Sequence, residues 1–197
     1  MQNWDLFYKT KNSISRVNKF FLDNLLRKID LRVKNTPILD LGCGNGDLAL
    51  KLAKRGFSVY GMDASKEALG IAQKSAEDQK LSRKTFFYQA DIAIFPYSEV
   101  LPKKFPVIFC RHTLAFIKQK QKFLRYTKKL LDKDGVFVLI IPVIIAGAKN
   151  LSQKTRNISI RETALEKLLK NTFSNVSFFH TDYNGDDVVV HTYICRI

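Results

Sequence analysis

Between an apolar run that reads as a strand, Pro37 to Leu41, and another that reads as a helix, Leu48 to Ala53, stands the heptapeptide Asp40-Leu-Gly42-Cys43-Gly44-Asn-Gly46. Glycines at alternate positions admit positive φ and let a ligand lie directly against the main chain. The helix start beyond them offers N–H groups that have no intrahelical acceptor. That is the chemistry of a loop for a nucleotide-type cofactor, with Asp40, Gly42, Cys43, Gly44 and Gly46 as its candidate residues. A dinucleotide loop would read G-x-G-x-x-G and seat a pyrophosphate. Here the third glycine comes one position early and Asp47 follows it, a carboxylate that would repel a pyrophosphate.

Two more acids stand where successive strands should end. Asp63, followed by Ala64, closes the run Phe57 to Met62, at close to the ~20 residues from the glycine loop expected when one helix intervenes. Asp91-Ile92 follows the run Thr85 to Gln89. Either acid alone reads equally well as a solvated loop residue or a helix cap. Three acids at three successive strand ends form a pattern.

The D-x-G-x-G-x-G sequence led by Asp40 resembles motif I of the class I S-adenosylmethionine-dependent methyltransferases. The resemblance implies that the loop lies beside the methionyl half of the cofactor, which carries no phosphate and tolerates a nearby acid. It implies that Asp63, with Ala64, meets the ribose hydroxyls. It implies also that Asp91 accepts from the adenine amine while Ile92 packs on the ring. S-adenosylmethionine would be the methyl donor and S-adenosylhomocysteine the product. The N-terminal Trp4-Asp5-x-x-Tyr8 resembles the aromatic start of many small-molecule members, where that segment folds over cofactor and acceptor as a lid; an anchoring helix with buried aromatics is the plain alternative.

The rest of the chain supplies elements to hold these residues. Residues 1–35 read as one or two helices capping the fold, with Phe20, Phe21, Leu25, Leu26 and Ile29 on one stripe. Strands and helices then alternate: Lys66 to Gln79 as helix, Val107 to Cys110 as the fourth strand, Lys120 to Leu131 as helix, and Val136 to Ile141 as the fifth strand after an Asp134-Gly135 turn. Ser159-Ile-Arg-Glu162 has the form of a capping box ahead of a helix bearing Leu165, Leu168 and Leu169. Val176 to His180 and Val188 to Cys195, joined through Asn184-Gly185, read as an antiparallel hairpin. The expectation is a single α/β domain: a doubly wound, mostly parallel seven-stranded sheet, helices on both faces, and a C-terminal antiparallel hairpin.

Ligands in such sheets sit beyond the carboxyl ends of the strands. The acceptor is therefore expected near Cys110-Arg111-His112, where His112 could serve as a base and Arg111 could clamp an anionic group. The alternative is that both merely cap a strand end. His180 and His191, inside hairpin strands, read as structural. Cys110 follows Phe109 and lacks the Pro-Cys context of cytosine-C5 enzymes, and no [D/N]-P-P-[Y/F/W] follows the fourth strand.

Composition bounds the partners. The chain has 197 residues and 46% hydrophobic content, enough for a packed core. Its three cysteines are too few and too scattered for a disulfide framework or a zinc pattern, which favours a reducing, cytoplasmic setting. No secretory leader is visible, and the longest apolar run, Val136 to Ala146, is short for a membrane span and contains Pro142. With 33 Lys plus Arg against 18 Asp plus Glu, the net charge of +15 favours anionic partners, or else paints a solvated surface with lysines spread along the chain. A small-molecule acceptor is the leading expectation. RNA is the rival, on the basic run Lys118, Lys120, Lys122, Arg125, Lys128 and Lys129; a non-catalytic cofactor-binding protein is the third reading.

Overall fold

A computed structural model describes residues 4–10, 16–94, 101, 104–149, 151–183 and 188–197. The chain divides into two units, Met1–Leu101 and Pro102–Ile197.

The first unit opens with α1 (Trp4–Thr10) and α2 (Lys19–Lys28), followed by β1 (Pro37–Leu41), α3 (Asp47–Ala53), β2 (Ser58–Asp63), α4 (Lys66–Asp78) and β3 (Thr85–Gln89). The strands pair in parallel, β1 with β2 and β2 with β3. The apolar run of β1 fits burial on both faces, and Ile38, Leu39 and Leu41 are sealed, whereas β3 leaves Phe86 exposed. Asn18 starts α2 by accepting from the Phe20 and Phe21 amides at 2.8 and 3.4 Å. That helix buries Leu22, Leu25 and Leu26, with Ile29 just beyond its end, a spacing of i, i+3, i+4 and i+7. Phe20 falls off this stripe: expected inside, it is 82% exposed, because two residues before Leu22 is nearly the opposite side of a helix. In α4, Ser65 caps the first turn by accepting from the Ala68 amide, and Leu69, Ala72 and Ala76 face inward as expected.

The second unit holds β4 (Phe105–Arg111), a 3₁₀ turn (Leu114–Phe116), α5 (Lys120–Leu130), β5 (Leu131–Ile144), α6 (Gln153–Ile158), β6 (Ile160–Arg161), α7 (Glu162–Lys170), β7 (Asn175–Tyr183) and β8 (Val188–Arg196). β4 and β5 are parallel, whereas β8 runs antiparallel to both β5 and β7. The fold class is thus the expected α/β one, with mostly parallel pairing and an antiparallel C-terminal pair. The Asn184-Gly185 turn lies outside the described residues.

Three details depart from expectation. β5 starts at Leu131, and the Asp134-Gly135 turn is a bulge inside it: between Phe105↔Leu131 and Val107↔Val136, β4 advances two residues while β5 advances five. Gly135 is needed there, since a Cβ would lie 2.9 Å from the Asp132 amide nitrogen and carbonyl oxygen. The polar stretch after β5 contains α6, capped by Ser152, whose Oγ accepts from the Thr155 amide. The capping box does not form: Ile160 and Arg161 pair with Val143 and Ile144 of β5, so α7 begins only at Glu162. Glu162 is then the first helical residue rather than the third, too early to reach back to Ser159.

No helix among the described residues is long and apolar enough to cross a membrane.

Candidate functional site

The glycine loop in the first unit is tied to the end of β2. The Gly42 and Cys43 amides both donate to the Met62 carbonyl, at 2.8 and 3.0 Å, and the Gly46 amide donates to the Cys43 carbonyl at 3.0 Å. Gly42, Gly44 and Gly46 all have left-handed backbone, with φ of 73, 54 and 79°. Two of them also answer to close neighbours. A Cβ on Gly46 would stand 2.9 Å from Ala72 Cβ in α4, and one on Gly44 would stand 2.3 Å from the Tyr8 hydroxyl.

Asp63 joins the pieces. Its Oδ2 accepts from the Gly44 amide at 2.8 Å, its Oδ1 accepts from the Ser65 amide at 2.9 Å, and its carbonyl accepts from the Ala90 amide at 2.9 Å. One residue therefore links the loop after β1, the start of α4 and the end of β3. Burial raises the pKa of its carboxyl above the ordinary value, while the bonds from Ser65 and Gly44 pull the other way. A carboxylate oxygen has more than one lone pair, so both oxygens keep capacity for ligand donors.

The other predicted residues occupy distinct positions around this hub. Asp40, in β1 just ahead of the loop, is 1% exposed and does not open onto solvent. Burial first, then the charges of Asp40 and Asp63, push the Cys43 thiol well above its ordinary pKa. Its sulfur points inward, 2.8 Å from where a Cβ on Gly61 would stand, so Cys43 faces the loop with main chain only. The Ala64 carbonyl accepts from Gln89 Nε2 at 3.3 Å. Asp91 Oδ1 accepts from the Ala93 amide at 2.9 Å, closing a local turn. Ile92 is buried.

Helix α1 comes down on the same place. Asp5 Oδ1 accepts from Ser65 Oγ at 2.6 Å and from the Glu67 amide at 3.2 Å, and Lys9 pairs with Glu67 at 3.3 Å. The Ser65 hydroxyl, then the Glu67 amide, hold the Asp5 carboxyl below its ordinary pKa. This docking brings Tyr8 to Gly44, while Trp4 packs edge-on against Phe7 at 5.9 Å. The motif Trp4-Asp5-x-x-Tyr8 includes Asp5, but the sequence gives no sign that this residue seats the helix, because its partner is 60 positions away. Asp47, for its part, is committed to structure: Oδ2 accepts from the Val17 amide at 2.7 Å and Oδ1 pairs with Lys51.

In the second unit, the chain leaves β4 through His112, whose φ is 56°. The His112 amide donates to the Ile140 carbonyl at 2.8 Å, and Thr113 Oγ1 donates to the Arg111 carbonyl at 2.9 Å. Burial, with the Arg111 cation beside it, lowers the imidazole pKa to about 4, so the ring is neutral at physiological pH. Arg111 is half-buried at the same strand end, whereas Cys110 is sealed inside the strand and cannot meet a ligand. His191 is 0% exposed, with Nδ1 3.3 Å from the Tyr193 hydroxyl and 3.5 Å from Glu162 Oε1, and it packs edge-on against His180. Among the described residues, no group of three His, Cys, Asp or Glu side chains is placed to hold a metal ion.

Comparison with known proteins agrees with this geometry. A family model described as a methyltransferase domain matches residues 32–181. A ubiquinone biosynthesis O-methyltransferase of Actinobacillus pleuropneumoniae is 35% identical over 125 residues, which make up 62% of this chain and 52% of that protein. An mRNA cap guanine-N(7) methyltransferase of Schizosaccharomyces pombe is 30% identical over 165 residues, 75% of this chain and 46% of that one. The chain thus spans about half the length of these curated relatives. Among solved structures, phosphoethanolamine N-methyltransferase 2 of Haemonchus contortus, in complex with phosphomonomethylethanolamine and S-adenosylhomocysteine, superposes with a TM-score of 0.76. The match covers 97% of this chain and 55% of that one at 16% identity, a likeness of fold.

Proposed function

This chain belongs to the methyltransferase domain family, and we propose that it transfers a methyl group from S-adenosylmethionine to a small-molecule acceptor, leaving S-adenosylhomocysteine. The observation that carries the reading is Asp63, a carboxylate at a strand end that clamps the glycine loop through the Gly44 amide. The residues present fit the cofactor. The loop is cleared of side chains at Gly42, Gly44 and Gly46, and Asp63 and Asp91 are acceptors suited to ribose hydroxyls and an adenine amine.

When bound, the cofactor supplies a methyl group activated by a positively charged sulfur. The chain's own residues bind and orient. Asp63, with Ala64 beside it, receives the ribose, Asp91 and Ile92 receive the adenine, and the backbone from Gly42 through Cys43 and Gly44 to Gly46 lies along the methionyl part. Trp4 and Tyr8 on α1 close over the loop and keep water from it. At the end of β4, Arg111 and His112 receive the acceptor, and the neutral imidazole accepts a hydrogen bond or a proton from it.

A small molecule is favoured because no base-reading motif follows β4 and because one relative is a ubiquinone biosynthesis enzyme. The mRNA cap relative supports an RNA acceptor as the second reading. Cys43, Cys110 and Cys195, all buried and unbridged, support a reducing, cytoplasmic setting.

The test is to incubate the protein with methyl-labelled S-adenosylmethionine and a cell extract split into small-molecule, RNA and protein fractions. Label in the small-molecule fraction is expected. Label confined to RNA or protein overturns the acceptor class, and no cofactor binding by calorimetry overturns the whole reading.

A further inference from the structure

A depression of about 740 Å³ opens in the second unit, at the end of β4 opposite His112. Its lining is dominated by cations from three chain segments: Lys104 just before β4, Arg125, Lys128 and Lys129 from the last turns of α5, and Lys133 from the β5 bulge. Asp132 is the one side-chain carboxylate among the lining residues. The seven residues of β4 separate this place from His112 by roughly 25 Å at the usual rise of a strand.

The cations are concentrated and held. Ten of the 33 basic residues fall between Lys103 and Lys133, where Asp132 is the one acid. Lys104 Nζ donates to the Lys129 carbonyl at 2.6 Å, and Lys128 Nζ donates to the Thr172 carbonyl at 2.9 Å. An ammonium has three donors, so each of these keeps two after its position is fixed. Among the described residues, none of the five cations lies in a salt bridge with a carboxylate. The negative pole of α5 accounts for basic residues in its last turn. Lys104 also answers to that pole through its bond to the Lys129 carbonyl, whereas Lys133, from the β5 bulge, lies outside the helix and is not accounted for in this way.

We propose that this depression binds the phosphate backbone of an RNA strand. On a helix, Lys128 and Lys129 lie three and four residues beyond Arg125, so each Cβ stands about 5 to 6 Å from that of Arg125. Cations so spaced in an open concavity suit successive charges along a strand. A compact free phosphate is instead gripped by converging backbone amides, whereas the cations here are drawn from three chain segments around an open concavity. Docking on a membrane calls for several exposed apolar or aromatic side chains around the cations; here Leu131 is buried and Ile197, 41% exposed, stands alone in the lining as an exposed apolar side chain. The proposal is independent of the acceptor class and stands or falls separately from it.

The test is fluorescence anisotropy with a short labelled RNA oligonucleotide, comparing the wild-type protein with the triple variant Arg125→Ala/Lys129→Ala/Lys133→Ala. A charge-matched control, Lys19→Ala/Lys54→Ala/Lys74→Ala, removes the same charge from the first unit. The groove variant is expected to lose about tenfold or more in affinity and to flatten the slope of log affinity against log salt by about two, the value for three lost contacts to a single strand. The control should change little, and calorimetric cofactor binding should be unchanged in both. Equal losses in the two variants would reduce the effect to net charge and overturn the proposal. So would absent RNA binding, or displacement of the RNA by inorganic phosphate, an acidic peptide or anionic lipid vesicles at comparable charge concentration. If the triple variant fails to fold, the single exposed replacements Arg125→Gln and Lys129→Gln should each weaken binding and flatten the slope by about 0.7, the value for one lost contact.

Discussion

The loop after β1 and the turn after β4 both run through left-handed backbone, yet one does so with glycines and the other with a histidine. In the loop, Gly42, Gly44 and Gly46 adopt φ of 73, 54 and 79° at no steric cost, and what the position requires is the absence of a side chain. In the turn, His112 adopts 56° with a full imidazole attached. Left-handed backbone costs a residue with a Cβ about 1 to 2 kcal/mol, although histidine is among the residues that visit it more readily. A glycine would remove that cost. Asp30, Asn35 and Lys80 carry the same backbone in ordinary turns, so it is the place of His112 at a strand end, where we propose the acceptor binds, that makes its side chain worth testing.

The largest expected effect tests the glycine half of the contrast. Gly46→Ala places a Cβ 2.9 Å from Ala72 Cβ and 3.2 Å from Phe87 Cζ, on backbone with φ of 79°. The left-handed cost of about 1 to 2 kcal/mol adds to an overpacking cost of about 1 to 3 kcal/mol, for a loss near 3 kcal/mol measured by urea unfolding. Gly44→Ala meets the far end of the Tyr8 side chain, which can move, so it should reduce cofactor affinity more than stability. A Gly46→Ala protein as stable as wild type would show that the loop tolerates side chains after all. Asp63→Ala removes the acceptor for the Gly44 and Ser65 amides; cofactor binding should weaken by about 1.5 to 3 kcal/mol, the range for hydrogen bonds to a charged group. Unchanged affinity in calorimetry would take Asp63 out of the site.

The histidine half is tested by His112→Gly. This change relieves the backbone and should leave stability within about 1 kcal/mol of wild type. Turnover with the identified acceptor should nevertheless fall, and full turnover would reduce His112 to a strand cap. The same residue shapes the response to acid. Its folded pKa of about 4 lies below the unfolded value of 6.5, as does that of His191. Between those values the unfolded chain binds more protons, so stability is complete above about pH 6.5 and is lost as pH falls toward about 4. Asp63, raised by burial, acts with the opposite sign, favouring the folded state at low pH and losing that contribution as pH rises through its folded value. The two histidines, both with lowered folded values, carry the decline toward acid pH. His112→Gly should flatten the decline in thermal midpoint between about pH 6.5 and about pH 4; an unchanged slope would mean that its imidazole is protonated as readily folded as unfolded.

The same contrast explains what the sequence let one read. Strands β1 to β3 and the glycine loop were legible because their signals are local: continuous apolar runs, alternate glycines, and an acid at each strand end. The antiparallel end strands were legible from two β-rich runs. Three features were hidden by pairing between distant segments. Ser159 to Glu162 has the residues of a capping box, but Val143 and Ile144 of β5 draw Ile160 and Arg161 into a short strand and move the helix start. The Asp134-Gly135 step reads as a turn and becomes a bulge, since β4 continues alongside it. Phe20 looks like part of an apolar stripe until the register of α2 is set by Asn18. At the site, Asp63 was marked by position, but its grip on the Gly44 amide depends on the β1–β2 register, which no local pattern records.

The smallest effect concerns the helix that covers the loop. Asp5 is joined to Ser65 and Glu67 at the start of α4, immediately beyond Asp63, and through this contact Tyr8 reaches Gly44. Asp5→Asn keeps the shape and one acceptor oxygen but removes the charge, so the bond from Ser65 should weaken without being abolished. If α1 acts as a cover, the cofactor should leave faster while its rate of binding stays nearly constant, because closing a cover delays departure more than it hinders arrival. Stopped-flow fluorescence of Trp4, which lies on that helix and is the chain's one tryptophan, reads both rates directly. A change confined to thermal stability, with both rates untouched, would make α1 an anchored part of the scaffold, and the aromatic start of the chain would then serve packing alone.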